Sequence, residues 1–169
     1  MNFNTELKKN IGCNIVYSSS GGGNCSIILM KFDNGNRVMT YCYWEVQKNG
    51  KLIATAEDDV TAVTGLVAQT IRLFENKKVS NIEIDEFLNL FIEVDDGLTL
   101  LVFRDEYKDQ EKTGDYEDWT YSIPSKDLVL YVMEDSTIKA GKCHSWSDSS
   151  TFHPHDNCSS SHGAYHSLK

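Results

Sequence analysis

The residue types best suited to metal chemistry lie together near the end of this 169-residue chain. The stretch CHSWSDSSTFHPHDNCSSSHGAYH, residues 143–166, holds all five histidines and two of the five cysteines. Four thiolate or imidazole ligands are enough for a tetrahedral zinc site. Because the spacing matches no standard zinc-finger pattern, the signal is weak. The candidate ligands are Cys143, His153, His155 and Cys158.

The same stretch has a second interpretation as a tail without a fixed structure. The composition changes after Gly141, where Ser, His and Gly predominate and too little apolar surface remains to form a core. We therefore predict a disordered Ser- and His-rich tail over residues 141–169, with no metal ion and no cofactor. A small ligand- or metal-binding β domain, with the tail as its metal site, is the alternative.

Carboxylates form the second group of residues with functional potential. Between Glu83 and Asp118 there are 13 Asp or Glu residues and three Lys or Arg, and the whole chain carries a net charge of −9. A solvated acidic face is the simpler interpretation. Alternatively, negative potential would speed the encounter with a basic protein, and aromatic rings would anchor it. The predicted partner-binding residues are Asp105, Glu106, Tyr107, Asp109, Glu111, Asp115, Tyr116, Glu117 and Trp119.

The sequence lacks the residues that are characteristic of several classes of activity. The GGG at 21–23 precedes a strand-like run, whereas a phosphate loop would lead into a helix with a Lys. No Ser lies in a nucleophile-elbow motif, and the body of the chain before residue 143 contains no His to act as a general base. The net negative charge argues against a nucleic-acid partner. We therefore expect a non-enzymatic protein.

The cysteine pattern and the lack of long apolar runs bear on the compartment. Cys13, Cys25 and Cys42 lie in or beside apolar runs, and the total of five is odd. This pattern favours buried thiols over disulfides. No apolar run has the length of a signal peptide or of a membrane span. The sequence thus predicts a cytoplasmic protein without a membrane partner.

One pattern occurs twice along the chain and predicts how these residues are positioned. LMKFDNGNRVMTY at 29–41 and FIEVDDGLTLLVF at 91–103 each contain an apolar run, an acid, an Asp or Asn, a Gly and a second apolar run. Such Gly-containing turns favour tight hairpins, because Gly accepts a positive φ without steric cost. A Trp-bearing strand follows each hairpin. Trp44 is expected to be buried, and Trp119, beside a polar insertion, to be partly exposed.

The fold predicted from this alternation is mainly β (α+β) in a single domain over residues 1–140. Two pseudo-repeated antiparallel meanders, about 11–56 and 70–133, would pack together, since each can cover an apolar face that the other could not bury alone. Alternatively, the two hairpins resemble each other only because few residue types are compatible with a tight turn. One short helix is expected between the meanders.

The predicted helix lies within EDDVTAVTGLVAQTI, residues 57–71. Asp58 or Asp59 would cap its start, and Gly65 would interrupt or end it. The following TIRLFEN, residues 70–76, is expected to be a strand.

Four segments give the chain a resemblance to known proteins: YCYWEV (41–46), GLVAQTI (65–71), LNLFIEVDDGLTLLVF (88–103) and EDWTYSIP (117–124). Together they resemble a loose group of small bacterial proteins linked to polymorphic-toxin loci, many of them uncharacterised or regarded as immunity proteins. The resemblance implies a protein that neutralises a basic protein toxin by binding it. It brings no set of catalytic residues.

Overall fold

The computed structural model describes residues 2–21, 27–61, 63–104 and 116–143. These residues form two antiparallel sheets with a short helix between the strands of the two halves, which confirms the prediction of a mainly β fold. The helices are α1 (Phe3–Lys8) and α2 (Leu66–Arg72). The strands are β1 (Ile15–Ser20), β2 (Ile28–Phe32), β3 (Arg37–Thr40), β4 (Trp44–Lys48), β5 (Lys51–Thr55), β6 (Val79–Ile84), β7 (Leu90–Val94), β8 (Leu98–Val102), β9 (Glu117–Ile123), β10 (Leu128–Met133) and β11 (Ile138–Gly141).

The two halves of the sequence contribute strands to both sheets. Sheet A has the strand order β1-β2-β3-β9-β10-β11, and sheet B the order β5-β4-β8-β7-β6. The first half (β1 to β5) provides three strands to sheet A and the β4–β5 hairpin to sheet B, whereas the second half (β6 to β11) provides three strands to each sheet. The exchange is completed by two antiparallel pairings, β3 with β9 and β4 with β8. Neither sheet can form from one half alone.

Matching backbone hydrogen bonds occur in the two halves beside their Gly turns. An isolated antiparallel bridge joins Asn14 and Lys78. The Asp33 amide donates to the Asn14 carbonyl at 2.9 Å, and the Asp95 amide donates to the Lys78 carbonyl at 3.0 Å. Asp33 and Asp95 occupy the same position in their respective Gly turns. The two halves therefore have matching local geometry around these turns.

Both Trp-bearing strands face the core between the sheets. Trp44 and Trp119 are each 0% exposed, so the expected partial exposure of Trp119 is wrong. Trp119 stacks on the Phe3 ring at 5.4 Å between centroids, and its Nε1–H donates to the Leu88 carbonyl at 3.0 Å. The polar insertion, residues 104–118, ends directly before Trp119 in sequence, but the Trp119 side chain points towards the β6–β7 connection of sheet B.

Both helices differ from what the sequence predicted. Gly65 lies at the N-cap of α2, so the helix begins where it was expected to be interrupted or to end. A Cβ atom at Gly65 would lie 2.6 Å from the Thr61 backbone N, which explains why a residue without a side chain stands there. The helix also occupies the start of 70–76, where we expected a strand. Helix α1 was not predicted, because six residues are too few for a clear periodic pattern.

Among the residues described, no helix is long and apolar enough to cross a membrane.

Helix α1 is fixed to sheet A through the Tyr121 hydroxyl. The side-chain amides of Asn10 and Asn36 each donate to this hydroxyl at 2.8 Å, and the hydroxyl donates to the Glu6 carbonyl at 3.2 Å. Burial raises the pKa of Tyr121 to about 12, so the hydroxyl stays protonated. These buried polar groups are therefore satisfied.

The turn between β7 and β8 is tied to its surroundings by Asp96. Its carboxylate accepts from Lys77 Nζ at 2.8 Å and from Lys48 Nζ at 2.9 Å. The hydrogen bonds from Lys77 and Lys48 lower the pKa of Asp96 to about 2, so the carboxylate stays charged down to strongly acidic pH. Asp96 thus connects this turn to β4 and to the segment that precedes β6.

Truncation of either tryptophan is expected to destabilise the protein to a similar degree. Trp44→Ala and Trp119→Ala should each lower the free energy of unfolding by about 3–5 kcal/mol, because both remove a fully buried large side chain. Chemical denaturation followed by circular dichroism measures the effect. Phe87→Ala, at a ring that is 59% exposed, is the control and should change stability by about 0.5 kcal/mol or less. A Trp119→Ala variant as stable as the control would contradict the burial of this ring.

The two Gly turns provide a second, matched comparison. Gly35 and Gly97 both have positive φ, +87° and +77°, so Ala costs roughly 1–2 kcal/mol at either position. A Cβ atom at Gly97 would in addition overlap the Asn49 side chain, whereas one at Gly35 meets no atom within 4 Å. We expect Gly97→Ala to be the more destabilising change in denaturant titrations. The difference should disappear in an Asn49→Ala background, and its persistence there would show that Asn49 is not its cause.

Candidate functional site

The predicted partner-binding residues divide into two groups. Those from 105 to 115 lie outside the described residues. Of the others, Tyr116 is 55% exposed and Glu117 is half-buried. The prediction that Trp119 binds a partner is wrong, because its ring is fully buried against Phe3 and cannot serve as an exposed anchor.

Residues 105–115, which we call the acidic segment, are preceded by a buried arginine that sequence analysis did not single out. The Arg104 side chain is 7% exposed, and its Nε donates to Asp118 Oδ2 at 2.7 Å. An arginine has five N–H donors, and all five are used here. The remaining four bonds, at 2.9–3.1 Å, go to the carbonyls of Phe87, Met133 and Glu134 and to the Ser136 hydroxyl.

This cluster, which we call the Arg104 junction, joins four parts of the chain. It links the end of β8, the start of β9, the β6–β7 connection and the β10–β11 turn. Arg104 immediately precedes residue 105, and Asp118 follows residue 115 closely. The Glu134 amide also donates to the Tyr116 carbonyl at 3.0 Å. The described residues on both sides of the acidic segment are therefore fixed to the body.

The β6–β7 connection presents a second exposed aromatic ring at the junction. Asp85 organises this connection: its Oδ1 accepts from the amides of Phe87 and Asn89, both at 2.9 Å. Leu88 has a left-handed backbone, with φ at 64°. These constraints direct the Phe87 and Leu88 carbonyls towards Arg104 and Trp119, and they leave the Phe87 ring 59% exposed.

The outer face of sheet B carries three glutamates around an apolar centre. Side chains alternate between the two faces of a strand, so the residues between the buried ones of β7 and β8 point away from the core. We call this surface the acidic sheet face. It consists of Tyr43, Glu45, Glu83, Phe91, Glu93, Leu101 and Phe103.

One row across the acidic sheet face shows the arrangement. Glu45 lies opposite Leu101, Leu101 opposite Phe91, and Phe91 opposite Glu83. Three strand spacings separate the two glutamates, about 14 Å between backbones. The row therefore has an apolar middle with a carboxylate at each end.

Tyr43 gives the acidic sheet face a hydrogen-bonding aromatic ring. Its hydroxyl donates to Glu45 Oε1 at 3.3 Å, and its ring lies 6.2 Å from the Phe103 ring between centroids. Burial, together with the negative charges of Glu45 and Glu57, raises the pKa of Tyr43. The hydroxyl therefore remains a protonated donor at neutral pH.

The sequence contained signals for both the Arg104 junction and the acidic sheet face. Arg104 stands alone at the end of an apolar strand and at the start of an acidic run, which is a position that suits a buried ion pair. Glu45, Glu83 and Glu93 each lie between two apolar residues, in WEV, IEI and IEV. These triplets predict that each Glu points away from the core, but not that the three share one face.

Of the candidate metal ligands, only Cys143 lies within the described residues. Its Sγ donates to the Leu128 carbonyl at 3.3 Å, beside β10. Residues 2–143, apart from the gaps in their description, contain no group of three or more His, Cys, Asp or Glu that could hold a metal ion. His153, His155 and Cys158 lie outside the described residues. Gly141 belongs to β11, so the described fold continues past the boundary that the composition suggested.

Cys13 and Cys42, which were expected to be buried thiols, are both free thiols in the structure. Cys42 is 3% exposed, whereas Cys13 is half-buried. Burial is the main cause that raises the pKa of the Cys13 thiol, so Cys13 is protonated at neutral pH. Cys25 lies outside the described residues.

Breaking the Arg104 junction should destabilise the whole domain. Asp118→Ala leaves the Arg104 charge buried without its carboxylate, and this type of change costs about 3–5 kcal/mol. Arg104→Lys should also be clearly destabilising, since a lysine has three donors for five acceptor contacts. Denaturant unfolding provides the measurement. Arg72→Met, at an exposed arginine in α2, is the control and should have little effect. Wild-type stability of Asp118→Ala would show that the junction is dispensable.

Comparisons with protein-family models, with curated proteins and with solved structures find no match to this chain. The resemblance to immunity proteins of polymorphic-toxin loci therefore stays a prediction, and the function has to be inferred from the charges and contacts of the residues above.

Proposed function

We propose that this protein is a non-enzymatic protein-binding module, an immunity protein that neutralises a cationic toxin through an acidic surface. The observation that carries the proposal is the Arg104 junction. Of the three basic residues between Glu83 and Asp118, Arg104 is buried and paired with Asp118. Its charge is therefore neutralised inside the fold. The region keeps two lysines and 12 other carboxylates, one of which, Asp96, is paired with Lys48 and Lys77.

A surface of this charge suits recognition of a basic protein. Negative potential attracts a cationic partner before contact and raises the association rate, most strongly at low salt. Phe87 and Tyr116, 59% and 55% exposed, flank the junction and supply apolar area for the contact itself. Aromatic side chains are common among the residues that dominate binding energy.

The rigidity of the surrounding fold also favours binding. Two sheets that share strands, together with a fully hydrogen-bonded arginine, hold the residues that flank the acidic segment in one arrangement. A preorganised surface loses less conformational entropy on association and so binds more tightly. We place the protein in the cytoplasm, where it would meet a toxin that acts on intracellular targets.

Co-expression tests this function. The polypeptide encoded directly upstream of this chain should inhibit bacterial growth, and this protein should restore growth and form a complex with it in size-exclusion chromatography. The complex should weaken as salt is raised, because exposed charges are screened beyond about 8–10 Å. A toxic upstream product that neither binds this protein nor is neutralised by it would refute the proposal, as would an upstream product without toxicity.

A charge-neutralised variant tests the role of the acidic segment in the same assay. Asp105, Asp109 and Asp115 become Asn, and Glu106, Glu111 and Glu117 become Gln. Association should slow at low salt, and the difference from the wild type should shrink at high salt. Equal association rates at low salt would remove the segment from the mechanism while leaving neutralisation itself in place.

A further inference from the structure

We infer that the acidic sheet face is a docking surface for a basic protein, with Phe91 and Leu101 as its apolar centre and Glu45, Glu83 and Glu93 as its charged positions. The inference rests on the proposed function and deepens it, because it assigns the contact to the outer face of sheet B.

The charge on this face is of one sign and is not neutralised by neighbouring side chains. Within the described part of the chain, no Lys or Arg occupies an outward position between the ends of β4, β6, β7 and β8, and the exposed Lys51 lies at the start of the edge strand β5. None of the three glutamates forms an ion pair with another described residue. Glu83 and Glu93 are exposed, and Glu45 is half-buried beside Tyr43. A cationic surface would supply the counter-charges that the face lacks.

Sheet A provides an internal control for what the fold itself requires. Its corresponding row runs Ser19, Leu29, Met39 and Thr120 across β1, β2, β3 and β9. The apolar middle is retained, but both carboxylates are replaced by hydroxyls. Glutamates at these positions are therefore not needed to form this type of sheet.

Basic side chains occupy outward positions on the outer face of sheet A. Lys31 takes the position that corresponds to Glu93, two residues before the first Asp of the Gly turn, and its Nζ lies 5.1 Å from the Tyr17 ring centroid. Arg37 and Lys139 also lie at outward positions, on β3 and β11. A basic partner would be repelled from sheet A and attracted to sheet B, so the charge pattern also sets its orientation.

The position of the face relates it to the Arg104 junction. Phe103 is the last outward residue of the β8 side, and the next residue is Arg104. Five short strands cover roughly 400 Å² in projection, about half of the ~800 Å² that one partner contributes to a standard interface. The partner would therefore extend beyond the face, and exposed Phe87 lies on the adjoining β6–β7 connection.

Two charge-matched variants test the inference against the upstream-encoded polypeptide. The face variant carries Glu45→Gln, Glu83→Gln and Glu93→Gln. The control variant carries Asp33→Asn, Asp95→Asn and Asp127→Asn, which change the net charge equally at exposed positions elsewhere. At low salt we expect at least a tenfold loss of affinity for the face variant and less than a twofold loss for the control. The loss should shrink at high salt.

A second measurement uses the wild-type protein and does not depend on how the variants fold. On titration with the same polypeptide, the methyl resonances of Leu101 should shift, whereas the methyl resonance of Met39, at the corresponding position of sheet A, should not.

The outcomes separate this inference from the proposed function. Wild-type binding with equal affinities for all variants, or with equal losses in both triple variants, would overturn the assignment to the acidic sheet face and leave neutralisation standing. Shifts at Met39 without shifts at Leu101 would do the same. A wild-type protein that does not bind the polypeptide would overturn both.

Discussion

The exchange of strands between the two halves is the constraint on which the rest of the structure depends. Because β3 pairs with β9 and β4 with β8, each sheet requires residues that are distant in sequence. The same two pairings place Trp119 opposite Thr40 and Trp44 opposite Val102, with both indoles in the core. Loss of the β3–β9 pairing would divide sheet A, and loss of the β4–β8 pairing would divide sheet B, because each pairing joins strands of different halves.

The shared framework carries different chemistry in its two halves. In the pairing with β3, Tyr121 lies opposite Val38, and its hydroxyl ties α1 to sheet A. In the equivalent pairing of β4 with β8, Val46 lies opposite Leu100 and offers no polar group. The outer faces differ in the same way, with carboxylates on one and basic side chains on the other. Packing in the core limits variation there, whereas outward positions are free to acquire charge and, in our proposal, a binding function.

The Arg104 junction connects the framework to that function. A buried guanidinium with all five donors satisfied is stable only if every acceptor stays in place, so four parts of the chain are held together. The junction fixes the described residues that flank the acidic segment and adjoins the acidic sheet face. The acidic segment is thereby connected to a buried and fully hydrogen-bonded arginine.

The sequence alone determined most of the strands, the Gly turns and the alternation of buried and exposed positions. These depend on local φ and ψ preferences and on a side-chain period of two, which are visible in segments such as FIEVDDGLTLLVF. It could also show that Glu45, Glu83 and Glu93 point away from a core. Only the tertiary structure decided that these three share one face, that Trp119 is buried and that Arg104 is enclosed by four distant segments. Each of these outcomes depends on which strands become neighbours, and that choice is made by the packing of the whole chain.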